Sequence, residues 1–286
     1  MRELNTIIKI DLEARSFNFV SHPLYSKLIG GEVVATYLLS EFVKSKGKKV
    51  PYLSILSGPF SGVFPYASKG YFTSYIEGNF VTSIGGGSIA PFLNLNNILG
   101  IEIYGKSDLP INIEIASRVV KFLDAPNNPI QSLGIAGKKS TMSFVGGIKN
   151  DDYFLYNDKS NISLSMNLFG LVFTAFSDFK IPDYQNYKEV YNLILDKEDQ
   201  LTVSKGSNPS CYGCPIGCAF SGVPEKEHSS ILPRTLISCI YANPIYSDIN
   251  TVFSCFDVLG MPYNHEFLER FPSEASKVKI ELSSQL

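Results

Sequence analysis

All five cysteines of this 286-residue chain fall between Cys211 and Cys255, and the preceding residues carry none. An odd, clustered set is poor material for a disulfide framework and good material for a metal site. Three of the five form Cys211-Tyr-Gly-Cys214-Pro-Ile-Gly-Cys218. Thiolates two residues apart reach one centre when the backbone between them turns tightly. Gly213 and Gly217 are expected to supply the positive φ of such turns, and Pro215 to keep the run out of a helix. Asn208-Pro209 leads in as a loop. Zinc could complete a tetrahedral set with His228, Cys239 or Cys255. A cubane iron–sulfur cluster commonly takes a tight trio plus one remote cysteine. Zinc ribbons present two separated C-x2-C knuckles, and this chain has one, which favours a 4Fe-4S cluster. Cys255, expected beside the apolar stripe of a helix, ranks ahead of Cys239 as the fourth ligand. Cys239 sits in the apolar run 236–241 and reads as core.

Charge and hydropathy exclude other classes. The 25 Lys and Arg nearly balance 27 Asp and Glu, so no basic nucleic-acid surface organises the chain. Apolar residues at 44% against 18% charged provide for a packed core. The longest apolar stretch, 168–176, is too short to span a bilayer. No signal-peptide pattern follows Met1-Arg2-Glu3, so a cytoplasmic protein without membrane partners is expected.

The pattern along the chain predicts an α+β protein, with a β-rich domain over 1–205 and a partial α-helical segment over 206–286. Short apolar or alternating runs predict strands at 6–11, 16–20, 52–56, 71–84, 99–104, 111–115 and 141–145. Val34, Leu38 and Phe42 predict a helix over 32–44. Tyr187, Val190, Tyr191 and Ile194 mark one face of another. Ser247 is the expected N-cap of a helix running to Leu259. Gly85-Gly86-Gly87 precedes a helix start, where consecutive N–H groups can cradle a phosphate, although the lack of a neighbouring Lys or Arg favours a tight turn between strand and helix. His22, His228 and His265 are scattered and read as structural or exposed. Ser107-Asp108 and Glu225-Lys226-Glu227 read as solvated surface.

The cysteine segment closely resembles the cluster-binding segment of the tungsten-dependent aldehyde:ferredoxin oxidoreductases, and other segments agree in order. Leu28-Ile29-Gly30-Gly31 resembles that family's Leu-Gly-Gly. Ser57-Gly58-Pro59-Phe60-Ser61-Gly62 is similar to its Thr-Gly-Pro-Leu-Thr-Gly. Gly86-Gly87 with Pro91 and Leu93, Gly134-Ile-Ala-Gly137, and Asp257-Val-Leu-Gly260-Met261 follow. The resemblance implies a two-sheet first domain forming the base of a tungsten bis-pterin, then helical domains with the cluster close by. It implies oxidation of an aldehyde to a carboxylic acid, with electrons leaving through the cluster to ferredoxin. By the same resemblance Gly85, Gly86, Gly87, Asp257 and Gly260 would contact pterin and Cys211, Cys214 and Cys218 would hold the cluster, with Cys255, ranked from its helix position, as the candidate fourth ligand.

The chain departs from the family where charge matters. Glu32 follows Gly31 where the family has arginine, and the basic position before Ser74-Tyr-Ile-Glu-Gly78 falls on Ala67 or Ser68. Ile84 replaces an asparagine, and Asn167-Leu-Phe-Gly170 replaces Gly-Arg-Gly-Gly. Pro233-Arg234-Thr235-Leu236 lacks both carboxylates of Pro-Glu-Tyr-Glu, and Pro262 replaces an acid. The chain also reaches only about halfway through a typical member, whose second half carries the fourth cysteine. Three functions follow as expectations: an aldehyde oxidoreductase needing a second subunit or a homodimer, an iron–sulfur electron-transfer subunit without pterin, or a degenerate paralogue.

Overall fold

Glu77 and Gly78 both take positive φ, at 52° and 82°. The expected strand over 71–84 therefore folds back on itself as a hairpin with a two-residue turn. It belongs to the first of two six-stranded sheets in the computed structural model. The structure describes residues 3–125, 137–151, 153–156, 161–175, 179–208, 210–223, 225 and 230–284.

The first sheet contains β1 (Thr6–Asp11), β2 (Ser16–Ser21), β3 (Tyr52–Leu56), β4 (Gly70–Ile76), β5 (Asn79–Gly85) and β6 (Ile98–Tyr104), ordered β2-β1-β6-β3-β4-β5. The second contains β7 (Ile111–Ala116), β8 (Val119–Asp124), β9 (Lys138–Ser143), β10 (Ile148–Asn150), β11 (Tyr153–Tyr156) and β12 (Leu168–Ala175), ordered β11-β10-β9-β12-β7-β8. Among the described residues, only β1 with β6 and β7 with β12 pair in parallel. The sheets face each other across one core, in which Ile8, Ile10, Ile55, Ile101 and Ile103 meet Ile111, Ile113, Met142, Leu171 and Phe173. Helix α2 (Gly31–Lys46) covers the other face of the first sheet with Val34, Leu38, Leu39, Phe42 and Val43. Covering on both faces explains why every residue of β3 and β4 is buried instead of every second one.

Five shorter helices, α1 (Pro23–Lys27), α3 (Ile89–Leu95), α4 (Ile162–Met166), α6 (Ile231–Leu236) and α7 (Asn243–Tyr246), accompany α5 (Tyr184–Leu195), α8 (Ile249–Val258) and α9 (His265–Ser283). Helix α5 packs on α8, so the helical layer begins ahead of residue 206. Helix α8 starts one residue later than expected, because the Asp248 carboxylate accepts from the Asn250 N–H at 3.1 Å and caps it. Helix α9 carries buried Leu268, Phe271 and Ala275 on one face and docks against α2 and α6. The architecture is thus α+β, two sheets first and helices after. Among the described residues, no helix is long and apolar enough to cross a membrane.

Candidate metal centre

The segment 57–69 leaves the end of β3, crosses into the helical layer and returns as β4. Phe60, Val63, Phe64, Tyr66 and Ala67 bury themselves among the helices rather than between the sheets. The Tyr246 hydroxyl donates to the Pro65 carbonyl and the Tyr187 hydroxyl to the Val63 carbonyl, each at 2.5 Å. This crossing delivers Ser68 and Lys69, both buried, to the cysteine segment.

Between Cys211 and Cys214 the chain turns at Gly213, whose φ is +74°, and the Cys214 N–H donates to the Cys211 carbonyl at 2.9 Å. Gly217 serves differently from expectation. Its φ is not in the left-handed region, but a Cβ there would lie 1.9 Å from the Asn208 carbonyl oxygen, so close backbone approach is what requires glycine. The Tyr212 ring meets Phe92 of α3 edge-on at 5.2 Å, tying the segment to the sandwich. Cys211, Cys214, Cys218 and Cys239 then line one small cavity, together with Tyr66, Ser68, Lys69, Ser221 and Tyr241.

Glu225 is not the solvated residue that its charged neighbourhood suggests. Its N–H donates to the Ile84 carbonyl at 2.8 Å, stitching it to the end of β5. Its carboxylate sits 2.8 Å from the Lys69 ammonium, with the side chains only 1% and 3% exposed. The same carboxylate accepts from the Cys239 thiol at 3.3 Å and from the Ile240 N–H at 3.1 Å. Burial alone would lower the Lys69 pKa, yet Glu225 and the neighbouring thiols outweigh it and hold Lys69 well above the usual lysine range. Lys69 also reaches the Cys211 thiol, which burial pushes up and Lys69 partly restores. Burial raises Cys214 to about 11, and burial followed by the Glu225 charge lifts Cys239 well above an ordinary thiol. At Cys211, Cys214 and Cys239 the surroundings thus favour the protonated thiol, and loading a metal there must release protons.

The expected fourth ligand is placed elsewhere. Cys255 is wholly buried in the apolar core of the helical layer on α8, and it does not line the cysteine cavity. Cys239, expected as core, does line it. The reason is that Ile237 ends α6 at a positive φ of 60°, which turns the chain so that the Cys239 N–H donates to the Tyr66 carbonyl at 2.9 Å. His228 and most of Gly134-Ile-Ala-Gly137 lie outside the described residues.

Among the described residues, no three His, Cys, Asp or Glu side chains gather tightly enough to hold a single ion. The four thiols surround a cavity instead of a point. A cubane binds its thiolates to different irons and does not need them to meet at one point, whereas one tetrahedral zinc does. The cavity measures about 20 Å³, room for one water, so a cluster would seat there only with the thiols moved outward. Among the described residues of the segment 201–221, which carries three of them, there is no strand or α-helix, and the Gly206–Gly217 bridge is the β pairing within it. The donor set, four thiols beside a fully buried cation, fits an iron–sulfur cluster.

Residues 7–144 match the family Aldehyde ferredoxin oxidoreductase, N-terminal domain. The first half of the chain is thus similar to the N-terminal domain of the aldehyde ferredoxin oxidoreductases. Among solved structures, the active site complex BamBC of benzoyl coenzyme A reductase in complex with 1,5-dienoyl-CoA is similar in fold. It covers 99% of this chain with a TM-score of 0.58 at 14% identity, and this chain covers 62% of that one. No curated protein sequence matches significantly.

The family implies a tungsten pterin, and the described residues at the expected pterin positions do not fit its phosphate. At the Gly85-Gly86-Gly87 turn, the N–H groups of Ser88 and Ile89 already donate to Asp151 and Asn150, each at 2.9 Å, and the Ser88 hydroxyl donates to Asp151 at 2.6 Å. A carboxylate of the second sheet thus stands where an external anion would. Asp257 is exposed and accepts from the Tyr263 hydroxyl at 2.8 Å, while Gly260 ends α8 against Pro182. The cavity of about 650 Å³ beside that turn is walled mainly by Ile29, Phe256, Met261, Tyr263, Phe267 and Leu268, with Lys27 as the one cation lining it among the described residues. Glu32 does not invert the charge of an open site. It is fully buried, its carboxylate held by Arg234 Nε at 2.6 Å and by the Lys279 ammonium. Two departures from the family pattern, at positions 32 and 234, are thus the two halves of one ion pair. The nearest basic residue to the expected position at Ala67 or Ser68 is Lys69, one residue on, which the family pattern alone left unassigned.

Proposed function

We propose that this chain is the cluster-bearing, electron-transferring part of an oxidoreductase of the aldehyde ferredoxin oxidoreductase family. What supports the reading is the convergence of Cys211, Cys214, Cys218 and Cys239 on one cavity beside Lys69. A bound 4Fe-4S cluster supplies one-electron transfer. The chain's own contribution is electrostatic: the Lys69 ammonium, kept charged by Glu225, offsets thiolate charge that buried surroundings would otherwise disfavour. Tyr66, Leu201 and Ile216 wall the cavity and limit water. A ferredoxin-like carrier is the proposed partner that exchanges the electron. The full family reaction, aldehyde to carboxylic acid, would require pterin-phosphate donors from outside the described residues, in a second subunit or further chain.

Anaerobic purification with iron, sulfide, zinc, tungsten and molybdenum analysis tests this reading. The expected protein is brown, carries iron and acid-labile sulfide in equal amounts, and holds no tungsten. Co-purification of tungsten with aldehyde-dependent dye reduction would replace it by the complete family reaction. A colourless protein with stoichiometric zinc would overturn the cluster itself.

A further inference from the structure

We propose that Cys239 is the fourth thiolate of the cluster, so that the complete ligand set lies within residues 211–239 of this chain. This rests on the cluster reading above and goes beyond it by making the site self-contained. Cys239 lines the same cavity as the trio, and Cys255 does not. Polar contacts also tie it to the wall it shares with the trio. Its thiol lies 3.3 Å from Glu225, Glu225 lies 2.8 Å from Lys69, and Lys69 lines the cavity together with Cys211.

The backbone fixes that corner from two sides. The Cys239 N–H is held by the Tyr66 carbonyl at 2.9 Å, and the Lys69 N–H donates to the Ile237 carbonyl at 3.4 Å. Cys239 and Lys69 therefore belong to one crossing of segments 66–69 and 237–240, while the trio sits on the segment facing it. A cluster seated between them takes thiolates from both walls. Cys255 is packed into the helical core on α8, and the charge that bears on it is Lys197, which is itself bonded to Thr251 at 2.7 Å and paired with Asp248 at 3.4 Å.

The test is anaerobic reconstitution of the full chain with ferrous iron and sulfide, for wild type, Cys239→Ser and Cys255→Ser. The readouts are iron per chain and the electron paramagnetic resonance spectra of oxidised and reduced protein. The expected result is a four-iron cluster in wild type and Cys255→Ser, and a three-iron signal or loss of iron in Cys239→Ser. Should Cys239→Ser fail to fold, Cys239→Asp, whose carboxylate still binds iron, replaces it and is expected to shift the reduction potential. An intact cluster of unchanged potential in the Cys239 variants, or loss of the fourth iron in Cys255→Ser, overturns the proposal while leaving the cluster reading standing. Wild type that assembles no cluster overturns both.

Discussion

Lys69 and Glu225 form a buried pair whose two ends come from distant parts of the chain, so removing one end is a sharp perturbation. Lys69→Met keeps the apolar stem and deletes the ammonium. It leaves a carboxylate that is 1% exposed with two remaining donors, the Ile240 N–H at 3.1 Å and the Cys239 thiol at 3.3 Å. Losing one partner of a buried ion pair costs about 3–5 kcal/mol, because the survivor keeps its desolvation penalty and loses its counter-charge. Glu225→Gln has the converse effect on Lys69, which is 3% exposed. The double variant removes both charges and is expected to cost far less than the sum of the singles, so the cycle reports a coupling of several kcal/mol. The assay is urea unfolding of the reduced, metal-free protein followed by circular dichroism, with the midpoint falling at constant slope. Two results refute the reasoning: singles costing below about 1 kcal/mol, as exposed pairs do, or a double equal to the sum.

Other perturbations follow from the same geometry. Glu32→Gln removes the carboxylate charge that Arg234 and Lys279 share; since Lys279 is partly exposed and can turn to water, about 2–3 kcal/mol is expected in urea unfolding. Gly217→Ala brings a methyl to within 1.9 Å of the Asn208 carbonyl oxygen. The cysteine segment must then shift, lowering both iron uptake on reconstitution and the melting temperature. Cys214, raised from 9.0 to about 11, binds its proton more tightly folded than unfolded. Metal-free protein therefore holds that contribution below pH 9 and loses about 2–3 kcal/mol of stability as pH rises from 9 to 11. Urea midpoints across that range for wild type and Cys214→Ala check this, and parallel profiles would contradict it.

Much of the sandwich was legible because strand periodicity is local. The runs at 6–11 and 52–56 coincide with β1 and β3, and the helix over 32–44 lies within α2. The run over 71–84 concealed a hairpin because Glu77-Gly78 is a less familiar turn pair than Asn-Gly. Strands β8, β10, β11 and β12 went unread, and so did α9, whose Leu268, Phe271 and Ala275 spacing was the available signal. At the metal centre the trio was legible and Lys69 was not, since a lone lysine beside Ser68 carries no sequence sign of burial. Glu225 was misread for the same reason: its acidic and basic neighbours suggest solvent.

The sequence by itself determined the cysteine trio, its tight turn at Gly213 and the α+β order of elements, because each depends on residues within a few positions of one another. Tertiary structure alone decided the rest. It put Cys239 rather than Cys255 on the cavity, gave Lys69 its carboxylate and paired Glu32 with Arg234. Each of those choices is made by chain segments that meet only when the crossing at 57–69 enters the helical layer. There burial leaves a charge or thiol no solvent to turn to, and the contact it finds fixes its role.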